Sequence, residues 1–140
     1  MDRTVYINIG GKEYPMRFSL GASKALCQKY GSLIKMADKI TGKQVSENTE
    51  ESLDAISWIV ELLIKQGCAY KNLFEADLPI PENAPVVDGK YTPPTKEMLE
   101  VGLGIWELTE LQQKIFETMG AGNKREIEAE AKEKKSKKNE

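Results

Sequence analysis

Histidine is missing altogether from this 140-residue chain, and cysteine occurs only twice, at Cys27 and Cys68. Without histidine, a serine or cysteine nucleophile lacks its most common base, and no Gly-x-Ser-x-Gly turn stands in for it. Two cysteines far apart have no zinc-ligand spacing. Phosphate-cradling glycine patterns are missing too, because Gly102-Leu103-Gly104 lies inside a helical pattern with no strand before it. Carboxylates are plentiful but fall on what read as solvated helix faces. Catalytic residues, a cofactor and a metal site are therefore not expected, and the chain reads as a binding protein, not an enzyme. Cys27 and Cys68 read as small core residues kept reduced, although a disulfide between them stays open. Long hydrophobic runs are also lacking. The most apolar stretch, Ile56-Ser57-Trp58-Ile59-Val60-Glu61-Leu62-Leu63-Ile64, is interrupted by Glu61 and falls short of the roughly 18 residues of a membrane span, so it reads as a buried helix. Met1-Asp2-Arg3-Thr4 carries no secretory signature, which points to the cytoplasm.

What is present is ordinary for a single domain with one core: 40% hydrophobic and 30% charged residues. Val5, Ile7 and Ile9 alternate with Tyr6 and Asn8, Gly10-Gly11 supplies a two-residue hairpin turn, and Tyr14, Met16 and Phe18 continue the alternation on the return strand. Pro15 restricts that strand to a sheet edge. Such a hairpin is marginal alone, so a helical body must cover it. Ser19 is placed to cap a first helix carrying Ser23, Leu26, Cys27 and Tyr30, which Gly31 ends. Ser32 caps a second, with Leu33, Met36, Ala37 and Ile40 on one stripe and Gly42 as its stop. After a polar stretch from Lys43 to Glu47, Asn48 and Glu51 have capping-box spacing for a third helix, roughly Thr49 to Gln66. That helix is apolar around more than one stripe, so it is expected at the centre. Gly67 is expected to end it, with one or two further turns over Ala69 to Ala76.

From Leu78 to Pro94, five prolines and Asp88-Gly89 exclude a long regular element; the segment reads as an extended connector or as a binding loop. Thr95 caps a last helix bearing Met98, Leu99, Val101, Leu103, Ile105, Trp106, Leu108, Leu111, Ile115, Phe116 and Met119, closed by Gly120 and Gly122. Gly102 and Gly104 weaken it and would permit close approach of another backbone. The expected organisation is thus α+β and mostly α: a short hairpin and about four to five helices over residues 1–122, then a charged, disordered tail over 123–140. From Lys124 onward the chain holds seven basic and five acidic residues, whereas the whole chain is −2, so the body is acidic. That balance argues against a nucleic-acid partner.

The run Ile7-Asn8-Ile9-Gly10-Gly11-Lys12-Glu13-Tyr14-Pro15-Met16-Arg17-Phe18, followed by Leu20-Gly21-Ala22-Ser23-Lys24-Ala25-Leu26, resembles the start of the tail assembly chaperones of long-tailed phages and prophages of Gram-positive bacteria. The resemblance covers the chain to about Gly122. It implies a non-enzymatic protein of the host bacterial cytoplasm that coats the tape-measure protein, keeps it soluble and helps recruit tail-tube subunits. In many members a ribosomal frameshift late in the gene adds a second domain, and the Lys132 to Lys138 region is where such a site would fall. A chaperone of this kind needs small exposed apolar patches and many weak contacts. The residues expected to provide them are Met98, Leu103, Trp106 and Met119 on the last helix, with Tyr91 in the proline-rich loop. The alternative is that they are core residues packing the last helix onto the Trp58 helix. Two other functions stay open: a structural tail or connector protein of the virion, and a small regulatory accessory protein of a mobile element using the helices around Gly31-Ser32 as a helix-turn-helix. Self-association is also open; a membrane partner is not expected.

Overall fold

The computed structural model describes residues 4–42 and 48–120. The stretch from Lys43 to Glu47, Gly122 and the segment 123–140 singled out above lie outside the described residues. Two antiparallel strands come first, β1 (Val5–Ile9) and β2 (Lys12–Met16), with Ile9 opposite Lys12, Ile7 opposite Tyr14 and Val5 opposite Met16. Gly10 and Gly11 have φ of 60° and 86°, as this turn requires. Ile7, Ile9, Tyr14 and Met16 are buried. Pro15 stands opposite Tyr6, where a donor would point away from β1, so its missing N–H costs the ladder nothing. The strand stops at Met16, short of the expected Phe18, which packs against the core from the irregular segment between β2 and the first helix.

Helix α1 (Leu20–Tyr30) starts where Ser19 Oγ accepts from the Ala22 N–H at 3.0 Å, and α2 (Leu33–Lys39) where Ser32 Oγ accepts from the Lys35 N–H at 3.1 Å. Ala22 and Leu26 carry the buried stripe of α1, which leaves Cys27, one position further round the helix, exposed. Cys27 is therefore not the core residue the sequence suggested. Met36, Ala37 and Ile40 are all buried.

The central helix α3 (Glu50–Phe74) departs from expectation at both ends. Its cap is Thr49, whose Oγ1 accepts from the Ser52 N–H at 3.2 Å, while Asn48 takes a φ of 53° one residue earlier. Glu51 pairs with Lys39 of α2 and does not close a capping box. At the other end the helix runs straight through Gly67. The reason is tertiary: β2 lies directly on this turn of α3, so a Cβ at Gly67 would sit 2.1 Å from the Pro15 carbonyl oxygen. The Arg17 N–H donates to Leu63 O at 3.1 Å, and the Arg17 guanidinium lies 3.6 Å above the Tyr70 ring. One turn on, Lys71 Nζ meets Glu75 at 2.7 Å. Burial works against that ammonium, but hydrogen bonds to Glu75 and Tyr6 outweigh it and hold the pKa above its ordinary value.

Cys68, beside Gly67, is buried, and burial pushes its thiol up to about 12. Native protein should therefore consume one equivalent of a thiol reagent, at Cys27, and two in urea. Because an unfolded thiol ionises well below the folded value, Cys68 favours unfolding as pH rises from about 9 towards 12. Cys68→Ser should flatten the fall in urea midpoint over that window; an unchanged slope would assign the loss to other groups.

The proline-rich segment is more than a connector. It holds a second small hairpin, β3 (Val86–Val87) and β4 (Lys90–Tyr91), turned by Asp88 and Gly89 at φ of 52° and 80°. Asn72 of α3 clamps it: its Nδ2 donates to Tyr91 O and the Tyr91 N–H donates to its Oδ1, both at 2.9 Å. The Glu13 N–H donates to Asn83 O at 2.9 Å, tying the same segment to the outer edge of β2. Asn72→Ala is expected to cost about 1–3 kcal/mol and to raise amide exchange at Tyr91 far more than at Leu63. Equal effects at the two amides would mean that the clamp is not local.

The expected single last helix is two helices. Thr95 Oγ1 accepts from the Met98 N–H at 3.1 Å and starts α4 (Lys96–Gly102). Leu103 and Gly104 are extended, a single 3₁₀ turn covers Ile105–Glu107, and α5 (Leu108–Thr118) follows. Two glycines at about 1 kcal/mol each weaken the helix here, and a Cβ at Gly102 would come 2.8 Å from the Ile9 side chain. The break lets Leu99 of α4 and Leu111, Ile115 and Phe116 of α5 all reach the core. Helix α3 touches β2, β4 and each of the other four helices, so the core is arranged around it. No described helix is long and apolar enough to cross a membrane.

Candidate functional site

The break between α4 and α5 makes an elbow whose side chains divide between core and solvent. Leu99, Leu111, Ile115 and Phe116 are inward and buried. Four of their neighbours are not: Trp106 is 91% exposed and Val101 81%, with Met98 and Ile105 about half exposed. A helix continued without interruption would keep 3.6 residues per turn and one apolar stripe. The extended Leu103-Gly104 pair resets that phase, so Ile105 and Trp106 point outward on a 3₁₀ turn.

Two apolar depressions flank α4. On one side a groove of about 290 Å³ runs between α3 and the elbow, floored by Ile56, Val60, Leu99, Leu103, Leu108 and Leu111, with Ile105 also lining it. Among the described residues its charged lining side chains are Asp54 of α3 and Glu100 of α4, both exposed. Lys96 stands 3.9 Å from Glu100. On the other side a shallower hollow lies between α4 and the first hairpin, formed by Ile9, Tyr14, Met98, Val101 and Gly102 and edged by Lys12 and Glu97. Helix α4 is thus a ridge carrying exposed apolar side chains, with an apolar trough on each side.

Of the residues singled out from the sequence, Met98, Leu103 and Trp106 fall on this elbow: Met98 beside the hairpin hollow, Leu103 in the groove, and Trp106 free of the core. Trp106 does not pack on Trp58. That ring instead meets Tyr30 edge to face, with centroids 6.0 Å apart and Lys29 Nζ 4.7 Å away. Met119 and Tyr91 are half-buried and packed against the core. Tyr91 is held through its backbone by Asn72, and burial raises its phenol pKa. Val101 and Ile105 belong to the exposed group, although the sequence offered them only as stripe residues. The signal for them was the Gly102-Leu103-Gly104 break.

A second exposed apolar set, Leu73, Phe74, Leu78 and Ile80, lies at the end of α3 and in the turn after it. Among the described residues no group of three or more cysteine or carboxylate side chains is placed to hold a metal. The chemistry the elbow offers is contact: desolvation of apolar surface with two carboxylates at the groove rim. No family model matches the chain, and no curated protein or solved structure does.

Proposed function

We propose that this protein is a tail assembly chaperone of a long-tailed phage or prophage of Gram-positive bacteria, which binds the tape-measure protein in the host bacterial cytoplasm, keeps it soluble and helps recruit tail-tube subunits. It does so by binding alone, with no chemical step. The observation that carries the reading is the exposed elbow, where Trp106 and Val101 stand outside the core arranged around α3. An aromatic side chain presents on the order of 150–250 Å² of surface, and leaving one in water beside Val101, Ile105 and Met98 disfavours the free state unless a partner covers it. The resemblance of the Ile7 to Leu26 stretch supplies the class of partner. The acidic body suits a protein that must remain dispersed while holding an aggregation-prone one.

The direct experiment is co-expression with a tape-measure fragment encoded nearby, followed by size-exclusion chromatography with light scattering. A co-eluting complex is expected, with the fragment insoluble when made alone. If the fragment stays insoluble and the protein elutes by itself, the chaperone reading fails and a structural or regulatory role takes its place.

A further inference from the structure

The groove between α3 and the elbow has an apolar floor and acidic edges, and that pairing selects its occupant. We infer that it receives an amphipathic α-helix of the partner protein, whose apolar face enters the trough and whose flanks carry lysine or arginine. This deepens the chaperone reading and rests on it for the identity of the partner.

The floor residues Ile56, Val60, Leu99, Leu103, Leu108 and Leu111 come from α3, α4, the break and α5, so the trough is framed by helices along its length. A helix laid in such a trough would bury apolar side chains spaced three and four residues apart. Asp54 and Glu100 stand exposed among its lining residues, one on α3 and one on α4. They would therefore face the polar flanks of an inserted helix, and the favourable flank is cationic. Lys96 stands 3.9 Å from Glu100, and Asp54 also lines a neighbouring hollow with Lys29, Lys39 and Lys96, but the Lys96 contact is exposed and weak, so an incoming cation can compete for Glu100. Ile105, on the rim and half exposed, adds apolar contact at the entrance.

Charge also decides against the nearest competitors. A second copy of this chain docking groove to groove about a two-fold axis would set acidic edge against acidic edge, bringing like charges together. The segment beyond Gly120 is basic enough but holds Ile127 as its only large apolar side chain, too little to fill a trough floored by six aliphatic residues.

The test uses the full-length protein and two fluorescein-labelled 18-residue peptides with leucines at helical spacing, one with lysine and one with glutamate at every other position, read by fluorescence anisotropy. The lysine peptide should bind at least tenfold more tightly than the glutamate peptide. The double variant Asp54→Lys, Glu100→Lys alters only exposed side chains and should keep its circular dichroism. It should lose the lysine peptide at least tenfold and reverse the preference. Ile105→Asn should weaken the lysine peptide as well. Equal binding of the two peptides, or unchanged binding by the double variant, would overturn the inference, as would a dimer that Ile105→Asn disperses. The two readings separate cleanly. If the double variant still holds the tape-measure fragment in solution, the groove is not the docking site but the chaperone reading stands. If the peptides behave as described and no tape-measure fragment is rescued by the unaltered protein, the groove stands and the chaperone reading falls.

Discussion

Gly67→Ala is expected to destabilise the protein by roughly 3 kcal/mol or more, lowering its urea midpoint sharply. The sign is the informative part. In the middle of a helix of 25 residues, exchanging glycine for alanine ordinarily stabilises by about 1 kcal/mol, because alanine has less backbone freedom to lose. Here the added methyl would stand 2.1 Å from the Pro15 oxygen, 2.4 Å from its carbonyl carbon and 2.9 Å from the Met16 nitrogen. All three are backbone atoms, so no side-chain rotation relieves the clash. The strand would have to lift off α3, which would break the Arg17 to Leu63 hydrogen bond and open the contact that buries Tyr14, Met16 and Cys68. A measured stabilisation would show that β2 does not rest on this turn of the helix.

Trp106→Ala should separate binding from stability. A side chain 91% exposed contributes little to folding, so the variant should unfold within about 0.5 kcal/mol of the unaltered protein. A large aromatic at the centre of a contact surface is, however, the commonest hot spot, and its loss should weaken the tape-measure complex by about 2 kcal/mol or more, roughly thirtyfold. In the co-expression assay this appears as folded protein eluting by itself while the fragment is left insoluble. Unfolding of the variant would place Trp106 in the core after all, whereas an unaffected complex would move the docking surface elsewhere, the Leu73, Phe74, Leu78 and Ile80 set being a second group of exposed apolar side chains.

Much of the architecture was legible in the residues because it follows from local rules. The Gly10-Gly11 hairpin, the Ser19, Ser32 and Thr95 caps and the Asp88-Gly89 turn each need a specific backbone angle or a hydroxyl one turn from a free N–H, and those requirements act within four residues. What escaped depends on contacts between distant segments. A glycine at the end of an apolar run reads equally as a helix stop or as a place where another chain segment approaches, and only the position of Pro15 decides that Gly67 is the second. Cys27 and Leu26 are adjacent, and a stripe assigned one position out exchanges a buried residue for an exposed one. The last helix illustrates the opposite difficulty: six of the nine residues from Met98 to Trp106 are large and apolar and fall on more than one face of a helix, so periodicity cannot locate a break. The elbow, and with it the exposure of Val101 and Ile105, follows from the extended Leu103 and Gly104 and from Gly102 meeting Ile9.

The placement of the first hairpin has a consequence for synthesis. Its outer β2 edge is closed by the Leu63 to Gly67 turn of α3 and by Asn83, and on the β1 side Tyr6 O accepts from Lys114. A two-stranded ribbon has little stability of its own, and translation adds only about 5–20 residues each second. The strands made first are therefore expected to wait, for some seconds, until the residues that flank them have left the ribosome. Until then Ile7, Ile9 and Met16 are open to the cell's own holdases, so a protein proposed to shelter another chain would need brief shelter while its own is being made.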